Sequence, residues 1–407
     1  MLDLDGVYDK IERYREEMVE FQKELTAIPA ISPGSGGEGE YDKAQLVRKE
    51  AEKIFDEIEE YDAPDPRAKN GVRPNIAARL YGEGGKKTLW IMAHMDVVPP
   101  GDLSLWETDP FKAEVKDGKI FGRGVEDDQQ PLVGALFAAK ALKELKIKPK
   151  YDLVLLAVAD EECGSDYGLK FMLEEHGNLF RKDDLYLVPD AGIPDGTLIE
   201  IAEKSLLWIK FRVKGEQAHA SMPEIAINAH RFGARLICAL DEKLHEKFAD
   251  VDGLFYPPIS TFEPTKKEAN VPNINTIPGG DVFYFDCRVL PKYSLEEVLS
   301  TVDEEVEKME KETGIKVELE FPNKESSPPT PEDSPVVELL SRSIEKVTGK
   351  KPSVMGVGGG TVAAIFRVKG YPAAVWFTID DTAHQPNEYC VIDNMVTDAK
   401  VFATMLL

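Results

Sequence analysis

The stretch Leu153-Val-Leu-Leu-Ala-Val-Ala159 is apolar at every position and runs straight into three acids, Asp160-Glu161-Glu162. An apolar run of that length makes a strand buried on both faces and falls far short of the roughly 20 residues a membrane helix needs. A strand buried on both faces needs helices above and below it, as in a parallel α/β sheet. Thr88 to Ala93 and Leu185 to Val188 have the same strand character, and a helical pattern from about Gln129 to Lys146 separates the first two strands. Strands alternating with helices predict an α/β domain with a largely parallel sheet.

Upstream, Val7, Ile11, Tyr14, Met18, Phe21, Leu25 and Ile28 step by four and three, which predicts one amphipathic helix packed on its own domain. Pro29 to Gly39 is a breaker-rich loop, and a second helix is expected through about Glu57. Near Ser205 the texture changes. Trp208 to Lys214 and Val282 to Val289 alternate apolar and polar like half-solvated strands, followed by helical patterns at about Pro223 to Leu244 and Leu295 to Thr313. These units predict a smaller α+β domain with helices on one face. A linker, Asn323-Lys-Glu-Ser-Ser-Pro-Pro-Thr-Pro-Glu-Asp, follows; then Pro335 to Gly349 reads as helix, Ala373 to Thr378 as strand, and the chain ends in a helix. The expected boundaries are residues 1–205 and 324–407 for one catalytic domain and 206–323 for a domain inserted into it. The fold class is therefore α/β, with a mostly parallel mixed sheet flanked by helices and a second, inserted domain.

Charge narrows the partners. Lys plus Arg number 49 against 74 Asp plus Glu, a formal charge of −25. Such a surface repels phosphate backbones and anionic lipid heads, so neither nucleic acid nor membrane is expected. The opening Met-Leu-Asp-Leu-Asp-Gly is acidic where a secretory signal is basic, which predicts a cytoplasmic protein. The four cysteines, Cys163, Cys238, Cys287 and Cys390, are too far apart for a structural zinc site and read as small buried thiols.

The chemistry sits at strand ends, where α/β sheets bind ligands. His94-Met-Asp96 closes the first buried strand. Gly122-Arg-Gly-Val-Glu-Asp127-Asp128-Gln-Gln-Pro precedes a helix, and helix capping alone would account for its acids. Glu161 and Glu162 follow the most apolar strand; adjacent acids there raise one another's pKa unless a cation neutralises them. Val188-Pro-Asp190-Ala-Gly and Thr382-Ala-His384-Gln-Pro-Asn387-Glu388 complete the set. Two imidazoles with several carboxylates and no thiolate suit two hydrolytic metals with one acid bridging them. His176, His230 and His245 fall in polar contexts with no such company.

These motifs, in this order and rough spacing, resemble the co-catalytic zinc exopeptidase and deacylase family. That group includes acetylornithine deacetylase, succinyl-diaminopimelate desuccinylase, carboxypeptidase G, aminoacylase and the carnosinase-like dipeptidases. The resemblance covers nearly the whole chain and makes the inserted segment that family's lid, or dimerisation, domain. It implies that His94 and Asp190 bind one metal, that Glu162 and His384 bind the other, and that Asp127 bridges both. The ions would be Zn2+, with Co2+ or Mn2+ as substitutes. Asp96 would hydrogen-bond His94 and fix its tautomer, Glu161 would be the general base, and a cis peptide would follow Asp127.

In the inserted segment Gly215-Glu-Gln-Ala-His219-Ala-Ser221-Met-Pro resembles the lid motif whose histidine stabilises the oxyanion, often from a second subunit. Asn275 and Arg288 match the lid's substrate-binding strand, with Arg288 gripping a carboxylate through its planar fork. Gly356-Val-Gly358-Gly359-Gly360-Thr361 lacks a P-loop ending; Gly359, Gly360 and Thr361 read as an anion nest, and the resemblance implies that this loop faces a substrate carboxylate or acyl group. Where many members have Asp-Lys-Gly after the bridging acid, this chain has Asp128-Gln129-Gln130-Pro131, which makes subfamily transfer less safe.

The expected activity is di-zinc hydrolysis of the amide bond of an N-acyl amino acid with a free carboxylate. The alternatives are a dipeptidase or carboxypeptidase of the same family, and a non-catalytic metal-binding homologue, against which the retained Glu161 argues. A homodimer through the inserted domain is also expected. It rests on the resemblance and on an apolar helix from about Ile225 to Leu240, with Ile225, Phe232, Leu236 and Ile237 offering a face for self-association.

Overall fold

The computed structural model describes residues 4–84 and 87–407; Met1 to Asp3, which open the acidic N-terminal segment, lie outside them. The chain forms two compact units. The first comprises residues 1–201, 330–355 and 361–407, the second residues 202–329 and 356–360.

The first unit opens with α1 (Leu4–Arg13), α2 (Arg15–Thr26) and α3 (Tyr41–Ala51), then β1 (Glu57–Pro64), β2 (Val72–Leu80) and β3 (Thr88–His94). β4 (Glu114–Lys116), β5 (Lys119–Phe121), α4 (Gln129–Glu144), β6 (Asp152–Val158), α5 (Leu169–Glu175), β7 (Leu185–Gly192) and β8 (Leu198–Glu203) follow. The second unit holds β9 (Ser205–Lys214), β10 (Ala218–His219), α6 (Ala229–Lys247), β11 (Thr261–Lys267), β12 (Thr276–Ile277), β13 (Gly280–Val289), α7 (Leu295–Thr313) and β14 (Lys316–Glu325). The chain ends with α8 (Pro335–Thr348), β15 (Ser353–Val357), α9 (Ala363–Val368), β16 (Ala373–Phe377), β17 (Tyr389–Val391) and α10 (Ile392–Met405).

The large sheet has the order β1-β2-β6-β3-β7-β16-β8-β15. Its central strands β6, β3, β7 and β16 are parallel, whereas β1, β2 and β8 pair antiparallel, so the sheet is mixed and flanked by helices. Every residue of β3 and of β6 is buried, as continuous apolar runs demand.

The second unit is a four-stranded sheet, β11-β13-β9-β14, antiparallel throughout. Leu207, Ile209, Phe211 and Val213 of β9 and Phe283, Phe285, Cys287 and Val289 of β13 share one core with Leu236, Leu240 and Leu244 of α6 and Val298 and Val302 of α7. Alternation therefore sends one sheet face into the helices and leaves the other half-exposed. Ser294 and Glu297 form a reciprocal capping box that starts α7 where the sequence predicts it.

Several expectations are corrected. The N-terminal apolar stripe is buried from Val7 to Leu25, but the helix breaks at Tyr14, and Ile28 lies past its end. The second helix stops at Ala51, and Glu57–Pro64 is an edge strand whose exposed acids imitate a helix surface. β14 extends over the start of the supposed linker, with an irregularity between Glu320 and Asn323. On α6, Leu236 belongs to the core and Phe232 and Ile237 pack against it. Ile225 is 59% exposed but sits in a short 3₁₀ turn before the helix, so α6 does not offer the outward apolar face the sequence suggests. Cys163 and Cys238 are exposed thiols, against the expectation of burial. Among the described residues no helix is long and apolar enough to cross a membrane.

Candidate metal centre

Three neighbouring parallel strands aim their C-terminal ends at one place. His94 is the last residue of β3, Glu161 and Glu162 form the short turn after β6, and Asp190 lies near the end of β7. Asp127 precedes α4 and His384 follows β16. All belong to the first unit.

Asp127 stands between the two imidazoles. Its Oδ1 is 2.7 Å from His94 Nε2 and its Oδ2 is 3.1 Å from His384 Nε2. His94 Nε2 also lies 3.7 Å from Asp190 Oδ1, and His384 Nε2 lies 3.0 Å from Glu162 Oε2. Two acid–imidazole pairs are thus joined through one carboxylate. Two sets of atoms that could hold a metal ion, from His94/Asp127/Glu162 and His94/Asp128/Asp190, each lie within 4.8 Å of one another. The peptide between Asp127 and Asp128 is cis.

The backbone around these candidate ligands is fastened by other acids. Asp96 Oδ1 and Oδ2 accept the N–H groups of Glu161 and Glu162 at 3.0 and 3.1 Å. His94 Nδ1 has its shorter contact, 3.0 Å, with the Asp96 carbonyl oxygen, and the carboxylate is 3.5 Å away. Asp96 therefore meets His94 first through its backbone and spends its carboxylate on the turn that carries Glu161. Glu388 accepts from the N–H groups of Gly124, Glu126 and Asp127 and from Arg123 Nη1 at 2.6 Å. Glu126 accepts from Asp380 N and from Thr382 N and Oγ1, anchoring the loop that carries His384. Behind the Glu161 turn, buried Arg73 donates from Nη1 to Asp160 at 2.8 Å and holds Glu40 with Nε and Nη2. Asp160 has φ 63, a left-handed conformation that turns the chain sharply out of β6.

The sequence motifs contain Glu126, Asp128 and Glu388 without assigning them a role, and Arg73 lies in none of them. The acid cluster around Asp127 was the available signal, but helix capping explained it equally well. Asp128 instead accepts the N–H of His94 at 3.0 Å and contributes to one ligand set.

The electrostatics show which kind of ion the cluster suits. Burial pushes the Glu161 carboxyl up to about 8, His94 pulls it down, and the charges of Glu162, Asp127 and Asp96 add to the rise. Burial holds Asp190 and Asp128 well above the usual carboxylate range. Hydrogen bonds to Asp127 and Glu162 raise His384 to about 10. Burial opposes a charge on His94, yet Asp127 and Asp96 outweigh it and lift its pKa well above the ordinary value. A divalent cation bound among these groups would supply the positive charge that the gathered carboxylates call for. Oxygen and imidazole donors in carboxylate excess fit such an ion, and no cysteine belongs to either ligand set.

The other expected residues are placed as follows. His219 is exposed; its Nδ1 faces Ser221 Oγ at 2.7 Å, and β10 pairs it with Thr276. Asn275 is exposed, and its carbonyl oxygen accepts from Ala220 N at 2.9 Å. Arg288 is gripped by Asp286, Nε to Oδ1 at 2.7 Å and Nη2 to Oδ2 at 3.1 Å, while its Nη1 donates to the Gly358 carbonyl at 2.9 Å. Gly359 and Gly360 are exposed in the same loop, all within the second unit; Thr361 begins the return to the first, where its Oγ1 accepts from Ala363 N. The fork expected to be free for a substrate carboxylate is therefore already occupied by an internal one.

Strand-end imidazoles and carboxylates joined through one acid, on a mixed α/β sheet, define a metallohydrolase centre. The chain belongs to peptidase family M20/M25/M40, whose profile matches residues 90–407. It is 42% identical over 413 residues to an uncharacterized metallohydrolase of Methanococcus maripaludis, covering 96% of this chain and 99% of the relative. It is 29% identical over 377 residues to the succinyl-diaminopimelate desuccinylase of a Nitratiruptor species, covering 91% and 94%. The M20 family metallo-carboxypeptidase of Sulfolobus solfataricus has the same fold, with a TM-score of 0.74 at 22% identity over 96% of this chain and 98% of that one. The resemblance carried by the strand-end motifs thus holds, and the chain is a metal-dependent hydrolase of amide or peptide bonds.

Proposed function

We propose that this enzyme uses two zinc ions to cleave the amide bond of an N-acyl amino acid that keeps a free carboxylate. The observation that carries the reading is Asp127 set between His94 and His384, with Glu161 in the adjoining turn. His94 with Asp190 and His384 with Glu162 would hold the ions, Asp127 reaching both. Bound there, divalent ions would acidify a water and polarise the scissile carbonyl.

Glu161 forms no side-chain hydrogen bond with any described residue. Its carboxylate is thus available to take a proton from the attacking water and pass it to the leaving amine. Asp96 keeps that carboxylate on station by holding the backbone beneath it. His219 uses Nδ1 on Ser221, which leaves Nε2 to donate to the developing oxyanion. Arg288 exchanges Asp286 for the substrate carboxylate. In this reading the second unit is the lid and the homodimer contact, with His219 serving the partner's centre. The acyl amino acid substrate is supported by the desuccinylase relatives.

The peptidase reading is favoured by Asp286, whose carboxylate beside Arg288 offers a partner for a substrate ammonium. A panel of N-acetyl and N-succinyl amino acids, dipeptides and their carboxamides, assayed with Zn2+, Co2+ or Mn2+, decides between them. The deacylase reading expects the N-acyl acids to be fastest and their carboxamides poor; faster turnover of dipeptides makes the enzyme a peptidase. Equal turnover of acids and carboxamides removes Arg288 from its role.

A further inference from the structure

A cavity of about 430 Å³ lies in the first unit among Lys87, Lys150, Leu185, Glu338, Arg342 and Lys346. Its position is set by the same strands that build the metal centre. Lys87 immediately precedes β3, Tyr151 on its wall immediately precedes β6, and Leu185 opens β7. The opposite ends of these strands carry His94, Glu161 with Glu162, and Asp190. At about 3.3 Å per residue, a strand of this length separates the two places by roughly 20 Å. The cavity is therefore not an arm of the catalytic site.

Its charge runs against the rest of the molecule. The chain carries −25, yet four cations and one acid line this cavity. Glu338 is spent on Arg342, with its carboxylate 3.6 Å from Nη2 and its carbonyl 3.2 Å from Nε. Among the described residues no carboxylate forms an ion pair with Lys87, Lys150 or Lys346. Lys150 instead lies 5.2 Å from the centre of the Tyr151 ring. Leu185 and Leu339 add apolar lining to the same cavity. Like charges gathered round one cavity repel one another unless an anion joins them. A cavity of this volume is of the size that takes a small metabolite.

We propose that this cavity is a second binding site, taking an organic anion whose carboxylate or phosphate head meets the lysines and Arg342 while its apolar part covers Leu185 and Leu339. The site is separate from catalysis and does not depend on which amide the enzyme cleaves.

Calorimetric titration of the metal-loaded full chain with octyl phosphate, octanoate and the neutral octyl glucoside tests it. One-to-one binding of octyl phosphate or octanoate, weakened by added salt, is expected, with no binding of the glucoside; which head binds tighter tells phosphate from carboxylate. In the double variant Lys150→Glu, Arg342→Glu, affinity should fall roughly tenfold or more, with hydrolytic activity and melting temperature unchanged. Lys346→Glu, on the exposed side of α8, provides a second variant should the first not fold. Binding of neither anion, equal binding of the glucoside, or affinity unaltered in a folded variant overturns the proposal.

Discussion

The backbone N–H of Glu161 donates to Asp96 Oδ1 at 3.0 Å, tying the turn after β6 to the residue just beyond β3. The next amide, Glu162 N, uses the second oxygen of the same carboxylate. One side chain therefore sets where the proposed base and one proposed ligand emerge. Asp96→Asn leaves one of those amides facing an NH2 group, and kcat should fall roughly 10- to 100-fold with the fold intact. Steady-state kinetics beside a melting curve checks this; unchanged kcat would show that the turn holds itself.

Arg73 has no solvent exposure and joins Glu40 to Asp160, both buried. Replacing it with Met strands two carboxylates without their cation. The expected loss is roughly 3–5 kcal/mol in urea unfolding, because breaking a buried pair leaves uncompensated charge. A loss below about 1 kcal/mol, the scale of an exposed pair, would mean that the network is not what holds this corner.

Asp398 gives the fold a pH dependence away from the metal centre. Burial pushes its carboxyl up to about 7, although Thr378 and Gln130 donate to it. The folded state therefore keeps a proton that the unfolded chain releases near its ordinary value of 3.8. This stabilisation is complete below about pH 4 and is lost as pH rises through 7. Asp398→Asn reproduces the protonated form, so its melting temperature relative to wild type should climb between pH 4 and 7. A difference that stays flat across that range contradicts the assignment.

His219 can be assigned to its own chain or to a partner by mixing two inactive proteins, Glu161→Gln and His219→Ala, under subunit exchange. A histidine acting on the partner's centre restores part of the activity, since one mixed-dimer site combines an intact base with an intact histidine. Demonstrated exchange without activity places His219 on its own centre.

What the sequence made legible follows from where the physics is local. His94, Glu161 with Glu162, and Asp190 each close or follow an apolar run, so the ends of three buried strands showed where the acids and imidazoles would gather. The alternation of β9 and β13 showed equally directly which face packs on helices. Glu388 was not legible as an anchor because its partner Asp127 is 261 positions away, and only the folded chain brings them together. Arg73 sits in β2, whose proline and asparagine disguise a buried strand, and its acids come from two other segments. Arg288 was legible as a carboxylate fork, but the carboxylate it holds here is Asp286, two residues away on the same strand.

The central claim is that the strand-end acids and imidazoles hold the metals while Glu161 moves the proton. Metal analysis and kinetics of Glu161→Gln on one preparation test it most directly. The account predicts two metals per chain, as in wild type, and a kcat lowered by roughly 10²- to 10⁴-fold, the range for loss of a positioned base. Loss of metal in parallel with activity would make Glu161 a ligand, and full activity with full metal would remove it from the chemistry.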